Sequence, residues 1–196
     1  MGRIDGCGCV RATDVYAVYM GRLSYGGNIS LDGYMNDANG EFDWGEITDE
    51  IHQFWNDRER PNSTFVYGRR LYETMLVWET MPPTSPVMDE YGEIWRGADK
   101  IVVSRSLPEV STPRTTLVRT MPDLAALTAT QNVTIGGPTL AAQAIDLIDD
   151  IEVLVYPIVV GGGTRFFPSG FSARFVLANS SVFGNGVVHL HYRKAA

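Results

Sequence analysis

Residues 22–30, RLSYGGNIS, alternate apolar and polar positions and predict an early strand. Ile47, Ile51, Phe54 and Trp55 then recur at helical spacing over residues 47–60, ITDEIHQFWNDRER. Thr48 is placed to cap that helix, and Asp49 and Glu50 suit its positively polarised first turn. Between strand and helix, Asn39-Gly40 marks a turn, and Pro61-Asn62 ends the helix. Residues 63–68 (STFVYG) read as a short strand, and 69–76 (RRLYETML) as a short helix. The loop PPTSP precedes a helix over 87–98. Strands follow at 99–107 (DKIVVSRSL), 115–120 (TTLVRT) and 132–137 (NVTIGG), with a short helix at 123–130 between the last two. Residues 138–148 predict a helix with Pro138 in its first turn, where no amide donor is missed, and an apolar stripe of Leu140, Ala141, Ala144, Ile145 and Ile148. A long strand is expected over 151–160, and residues 173–183 and 186–194 pair naturally as a closing hairpin across Gly184–Gly186.

This β–α–β–α alternation with a β–β ending predicts a three-layer α/β sandwich. A mostly parallel central sheet would carry helices on both faces and a C-terminal antiparallel hairpin. We read residues 20–196 as a single domain and residues 1–19 as an N-terminal extension that adds little to the fold.

Composition narrows the function. The chain has 196 residues, 44% of them hydrophobic, and a net charge of −7, which does not favour a nucleic-acid partner held by general electrostatics. Its two cysteines, Cys7 and Cys9, are too close to staple a core and have no further soft ligands nearby for zinc. Such cysteine usage fits a reducing compartment, and the expected location is the cytoplasm. No apolar run is long enough for a membrane span.

Local arginines must then do local jobs. Three strands end in glycine or arginine: Val66-Tyr67 runs into Gly68-Arg69-Arg70, Val102-Val103 into Ser104-Arg105-Ser106, and Thr134-Ile135 into Gly136-Gly137-Pro138-Thr139. In an open α/β sheet, ligands bind beyond the carboxyl ends of the strands. Glycines let amides approach an anion, and guanidinium groups grip phosphate bidentately. Each motif alone is more often a surface turn; together they favour a phosphate-bearing cofactor. Neither a G-x-G-x-x-G fingerprint nor a P-loop is present.

The segments SLDGYM, YGRRLYETM, KIVVSRSLP, VTIGGPTLAAQAID and LIDDIEVLVYPIVVGGGTRFFP come in an order that resembles the dihydrofolate-reductase-like superfamily. The likeness is to its branch containing the reductase domain of bacterial riboflavin biosynthesis, over about residues 20–193. The resemblance implies NADPH as cofactor. Gly68, Arg69, Arg70 and Leu71 match the segment that holds the pyrophosphate, with Arg69 or Arg70 facing the 2′-phosphate. Ser104 and Arg105 match the strand end beside the adenosine phosphate. Gly136, Gly137, Pro138, Thr139 and Leu140 match the second pyrophosphate loop, where the family often has a cis peptide, here Gly136–Gly137. Asn28 and Ile29 match the strand beside the nicotinamide, and Gly161, Gly162 and Gly163 the glycine-rich turn after the long strand. The resemblance also implies a homodimer.

For the substrate side, Asp49 is the leading candidate for the acidic residue of the first helix, with Glu50 and His52 behind it; a helix-start carboxylate is the bland alternative. Asp32, in SLDG, follows the strand lining the nicotinamide and is the other candidate, with a turn role as its alternative. The arginine that clamps a folate tail is missing, since Ala98 holds its place and Arg96 lies close by. No zinc deaminase signature accompanies the chain. Tyr34, Trp44, Phe54, Trp55 and Trp78 could wall an aromatic pocket or be plain core. His189 and His191 share one strand face, read as exposed rather than metal-binding. The expected function is an NADPH-dependent reductase of a small pterin- or pyrimidine-like heterocycle, without metal; the alternative is a nucleotide-binding protein of the same fold that has lost turnover.

Overall fold

The computed structural model describes residues 20–195, so Cys7, Cys9 and the N-terminal extension lie outside the described residues. The chain forms β1 (Leu23–Ser30), α1 (Asp49–Glu59), β2 (Thr64–Gly68), α2 (Arg69–Met75), α3 (Val77–Thr80) and α4 (Pro86–Gly97). It continues with β3 (Asp99–Val103), β4 (Thr115–Val118), α5 (Leu124–Thr128), β5 (Val133–Gly136) and α6 (Pro138–Gln143). It closes with β6 (Asp150–Tyr156), β7 (Phe175–Val182) and β8 (Val188–Lys194). One eight-stranded sheet has the order β4-β3-β2-β5-β1-β6-β8-β7. The pairings among β1 to β6 are parallel, while β8 runs antiparallel to both β6 and β7. The sandwich and its antiparallel ending therefore match the alternation of the sequence.

Side-chain alternation sorts the strands onto two faces. Leu23, Tyr25 and Ile29 of β1, Val133 and Ile135 of β5, and Ile151 and Val153 of β6 pack with Leu124 of α5 and with Leu140, Ala141, Ala144 and Ile148. The other face is covered by α1 and α4. Ile51 of α1 meets Leu154 and Tyr156 of β6, and Trp95 of α4 meets Phe65, Tyr67 and Val102. Thr48 caps α1 by accepting from the Ile51 amide, as the sequence predicts.

Two predicted elements come out shorter. The strand expected over 151–160 ends at Tyr156, because Pro157 has no amide to donate and the chain turns at once, the Ile158 amide donating to the Tyr156 carbonyl at 2.8 Å. The helix expected over 138–148 ends at Gln143, and tight turns carry Ala144 and Ile148 into the same core. Packing of the apolar stripe, rather than continuous helix, buries those residues.

Candidate functional site

Because β1 to β6 are parallel, Gly68, Val103 and Gly136 finish at one edge. Gly68 stands opposite Val103, and Tyr67 opposite Gly136, so the three predicted strand ends are neighbours. Thr48, Ser85 and Asp123 cap α1, α4 and α5 with their side chains, and Leu76 before the single-turn α3 offers no cap. Gly68 before α2 and Gly137 before α6, at this edge, offer none either. Their first-turn amides are left for another acceptor. A Cβ at Gly136 would lie 2.3 Å from Leu71 Cδ2 and 2.9 Å from Tyr67 Cδ1, so only glycine lets β5 approach α2 this closely. Leu140 Cδ1 would sit 3.8 Å from a Cβ at Gly68, which ties the two glycine starts together. The cis peptide expected at Gly136–Gly137 is absent: every peptide bond among the described residues is trans. Gly137 instead makes the strand-to-helix reversal with φ at 93°, in the left-handed region open to glycine. Pro138 and Thr139 form the first turn of α6, with Pro138 where its missing amide costs nothing.

The arginines separate into engaged and free. Arg69 pairs with Glu73 at 2.7 Å and donates to Ser106 Oγ at 3.2 Å, bridging two of the loops. Arg70 and Arg105 are exposed and have no side-chain partner among the described residues. Ser104 is buried, and its hydroxyl accepts from the Ser106 and Leu107 amides at 3.3 and 3.0 Å, shaping the turn that presents Arg105. Arg119, which the sequence reading passed over, holds the same turn by donating to the Ser104 and Leu107 carbonyls at 2.9 and 2.6 Å. Its signal was its place just past the end of a strand parallel to the others.

Next to these loops the sheet opens. β1 pairs with β6 along its full run from Ser24 to Ser30, but with β5 only from Leu23 to Tyr25. Past Tyr25, β5 departs into α6 on one face while β1 leads to α1 on the other. Such a parting is where an open α/β sheet places its ligand crevice. The Asn28–Ile29 backbone and the Gly136–Gly137 turn border the parting. Asn28 points to the α1 face and accepts from Trp55 Nε1 at 2.9 Å; the Ile29 side chain is buried on the opposite face.

Asp32 and the glycine turn meet at the ends of β1 and β6. The Asp32 carboxylate accepts from Ser30 Oγ at 2.7 Å and from the Gly161 and Val160 amides at 2.8 and 3.2 Å. The Ser30 hydrogen bond, then those amides, hold it below the usual carboxylate range, so it stays ionised. A Cβ at Gly163 would come within 2.0 Å of the Asn36 carbonyl oxygen, so the 161–163 turn is clamped onto the loop after β1, with Gly162 over Ala38. Tyr34 belongs to this clamp, bridging to Arg165, whose guanidinium lies 4.6 Å from its ring.

Asp49 and Glu50 are exposed, and Asp49 lines an open groove between α1 and α4 with Gln53, Asp89, Glu90 and Glu93. His52 lies edge-on to Trp78 and Tyr91, both at 5.7 Å. Arg96 donates to the Trp78 carbonyl at 2.7 Å, and Ala98 is buried. The aromatic candidates do not form one wall: Trp44, Phe54 and Trp55 share the cluster under α1, Trp78 packs near α4, and Tyr34 sits in the clamp.

The face of His189 and His191 is buried rather than exposed, which corrects the sequence reading. Helix α1 covers it, and β6 sets a carboxylate against each ring: His189 against Glu152 at 2.5 Å, and His191 against Asp150 at 2.7 Å. Arg58 joins Glu152 at 3.3 Å, and Arg22 joins Asp150. Burial pushes Asp150 up, but hydrogen bonds from Arg22 and His191 outweigh it and leave its carboxyl below the usual range. Arg22, Arg58, Asp150, Glu152 and His191 line a cavity of about 230 Å³ at the amino ends of the strands, together with Glu59, whose carboxyl burial pushes up to about 7. No cluster of three or more metal-ligating side chains occurs among the described residues. No helix among them is long and apolar enough to cross a membrane.

Comparison with known proteins agrees with this fold. The Bacillus subtilis (strain 168) protein YyaP, itself uncharacterized, is 24% identical over 174 residues, 84% of this chain and 90% of YyaP. A structure from Shewanella sp. PV-4, assigned to riboflavin biosynthesis, superposes with a TM-score of 0.68 at 22% identity, over 89% of this chain and 99% of that one. Dihydrofolate reductase from Enterococcus faecalis, solved with NADP(H), superposes at 0.64 with 16% identity, over 91% of this chain and 99% of the reductase. The RibD C-terminal domain profile matches residues 26–189. The chain belongs to the RibD C-terminal domain family and has the dihydrofolate-reductase-like fold.

Proposed function

We propose that this protein is an NADPH-dependent reductase of a small pterin- or pyrimidine-like heterocycle. The observation that carries the reading is the crevice between β1 and β5, flanked by two glycine-started helices without side-chain caps and by two exposed arginines without partners. The amides of Gly68 to Leu71 and of Gly137 to Leu140 would hold the pyrophosphate. Arg70 and Arg105 would take the 2′-phosphate, while Arg69, tied to Glu73 and Ser106, would brace their loops. Asn28 and Ile29 would present backbone to the nicotinamide. When bound, the reduced nicotinamide supplies a hydride from C4 to the electrophilic carbon of a C=N or C=O group. The chain's part is to align that carbon over the crevice, exclude water, and leave the nitrogen or oxygen open to a proton.

The proton source is where the second reading gains weight. Asp32 is held ionised inside the clamp and Asp49 is exposed, an arrangement that favours a nucleotide-binding protein without turnover. Steady-state oxidation of NADPH against reducible pterins and pyrimidines separates the two readings.

For the cofactor, fluorescence and melting temperature followed during titration should show NADPH preferred over NADH. Arg70→Ala should weaken NADPH by about tenfold to a hundredfold and leave NADH nearly unchanged. Binding of neither nucleotide overturns the proposal. Self-association through β7 fits an edge strand that exposes Val176, Leu177 and Val182. Leu177→Lys should shift the sedimentation coefficient toward the monomer. A reducing, cytoplasmic setting completes this reading.

A further inference from the structure

Helix α1 carries the chain back from β1 to the parallel strand β2, so it starts at the carboxyl edge and ends at the amino edge. Near its start Ile51 meets Leu154 and Tyr156, at the end of β6. In its last turn Glu59 accepts from Thr134 of β5 at 3.0 Å. His52, Asn56 and Glu59 recur at i, i+4 and i+7, so they share one flank, turned toward α4 and β5. From Glu59 back to His52 the helix covers about 10.5 Å toward the carboxyl edge. From Thr134, β5 has only Ile135 and Gly136 left, about 6.6 Å of strand. His52 therefore stands over the parting of β1 and β5, past the last residue of β5.

A run of hydrogen bonds fixes how the ring is turned. Asn56 is fully buried, and its amide nitrogen donates to the Val87 carbonyl at 2.8 Å and to Glu90 Oε2 at 2.7 Å. Hydrogen bonds from Asn56, then from Gln53, hold Glu90 below the usual carboxylate range, so it stays ionised. Both Asn56 amide hydrogens are thus spent on groups that only accept. Asn56 Oδ1 is the atom left to face His52 Nδ1, at 3.3 Å. An amide oxygen only accepts, so Nδ1 carries the hydrogen of that bond. Any proton that the ring gains or loses is thereby confined to Nε2.

Nε2 has no hydrogen-bond partner among the described residues, and the residue is only half-buried. Trp78 of α3 and Tyr91 of α4 stand edge-on to the ring and 4.7 Å from each other, as walls and not as partners. The titratable groups that α4 turns toward the ring are Glu90, acting through Asn56, and Tyr91. Burial raises the Tyr91 phenol far above neutral, so it stays protonated. On α1 itself Asp49 precedes His52 by one turn and is exposed; α3 meets the ring with Trp78. Neither carboxylate considered above matches this arrangement, since Asp32 is saturated inside its clamp and Asp49 has no orienting partner.

We propose that His52 is the general acid of the reduction, giving its Nε2 proton to the nitrogen or oxygen of the group that takes the hydride. Asn56 and Glu90 are its positioning residues. The inference rests on the reductase reading. As hydride from the reduced nicotinamide adds to the carbon of a C=N or C=O group, the π pair of that group moves onto its heteroatom and bonds the proton. The Nε2–H bond breaks with its pair left on Nε2, and the imidazolium becomes the neutral Nδ1–H ring that Asn56 already selects. The nicotinamide is left oxidised, and water returns a proton to Nε2. Imidazole is the side chain best suited to this exchange near neutral pH.

The test follows NADPH oxidation by wild type, His52→Gln and His52→Ala across about pH 5 to 9, with 7,8-dihydropterin and with an N-glycosyl aminouracil as acceptors. His52→Gln should lower kcat by about a hundredfold to ten-thousandfold and leave NADPH affinity within about twofold. The wild-type kcat should fall as pH rises, because the acid must hold its proton, and that limb should vanish in His52→Gln. Added imidazole should restore part of the rate of His52→Ala, which a merely structural role does not allow. Nitrogen NMR of the wild-type ring, which needs no variant and no turnover, should show the neutral form protonated at Nδ1. A neutral ring protonated at Nε2 overturns the inference, as does a His52→Gln rate within about threefold of wild type; either leaves the reductase reading standing. No NADPH oxidation by wild type with either acceptor, while the NMR result holds, overturns the reductase reading, and the acid role falls with it.

Discussion

The two ends of the parallel strands use the same charged residues in opposite ways. At the amino ends, Arg22, Arg58 and Arg193 face Asp150 and Glu152, and each cation is matched. At the carboxyl ends, Arg70 and Arg105 meet no carboxylate, and the helix starts beside them lack side-chain caps. A matched cluster spends its electrostatics on the fold. An unmatched cation beside free amides keeps its field for a ligand. The amino-end cavity has more charged groups, yet the carboxyl edge is the better candidate for function, because what distinguishes a site is the unfilled valence and not the number of charges.

Breaking the matched end should give the largest effect. Glu152→Ala leaves His189 and Arg58 without their carboxylate and should cost about 3–5 kcal/mol in urea denaturation, with NADPH affinity unchanged in the folded fraction. An unchanged midpoint would show that the buried pairs contribute nothing. At the other end, Gly136→Ala places a methyl against Leu71 and Tyr67 and should cost about 1–3 kcal/mol together with cofactor affinity, since the crevice wall moves. Loss of stability without loss of NADPH binding would separate that wall from the site. Arg70→Ala should do the reverse, costing about 1.4 to 2.8 kcal/mol of NADPH binding with a melting temperature within a degree or two of wild type.

A subtler contrast comes from pH. Glu59 accepts from Thr134 and Asn62 at 3.0 and 3.1 Å, and burial raises its carboxyl to about 7 from the ordinary 4.5. Between those values the folded chain keeps a proton that the unfolded chain releases. Its contribution therefore favours folding below about pH 4.5 and is lost as pH rises toward 7, by about 2 kcal/mol at most given its partial exposure. Glu59→Gln should flatten the fall in urea midpoint between pH 5 and pH 7 and leave the NADPH titration at the carboxyl edge untouched.

The sequence by itself determined much of this protein. Alternation and helical spacing set the order of strands and helices, because burial of one face requires those periods. The three glycine and arginine strand ends were legible for the same reason: a parallel sheet sends them all to one edge. Tertiary structure decided the rest. Which arginine is free depended on Glu73 and Ser106 lying within reach of Arg69, a matter of helix start and loop position that spacing does not encode. His189 and His191 changed from an exposed face to a buried one because β6 brings Glu152 and Asp150 diagonally across to them and α1 closes over the pair. Gly136–Gly137 turned without a cis bond because a positive φ at Gly137 already supplies the reversal. Tyr156 had no local mark at all, sitting inside an apolar strand run. Only the folded chain shows that its hydroxyl, like the indole nitrogen of Trp44, is buried without a partner, and that is a property of packing among distant segments.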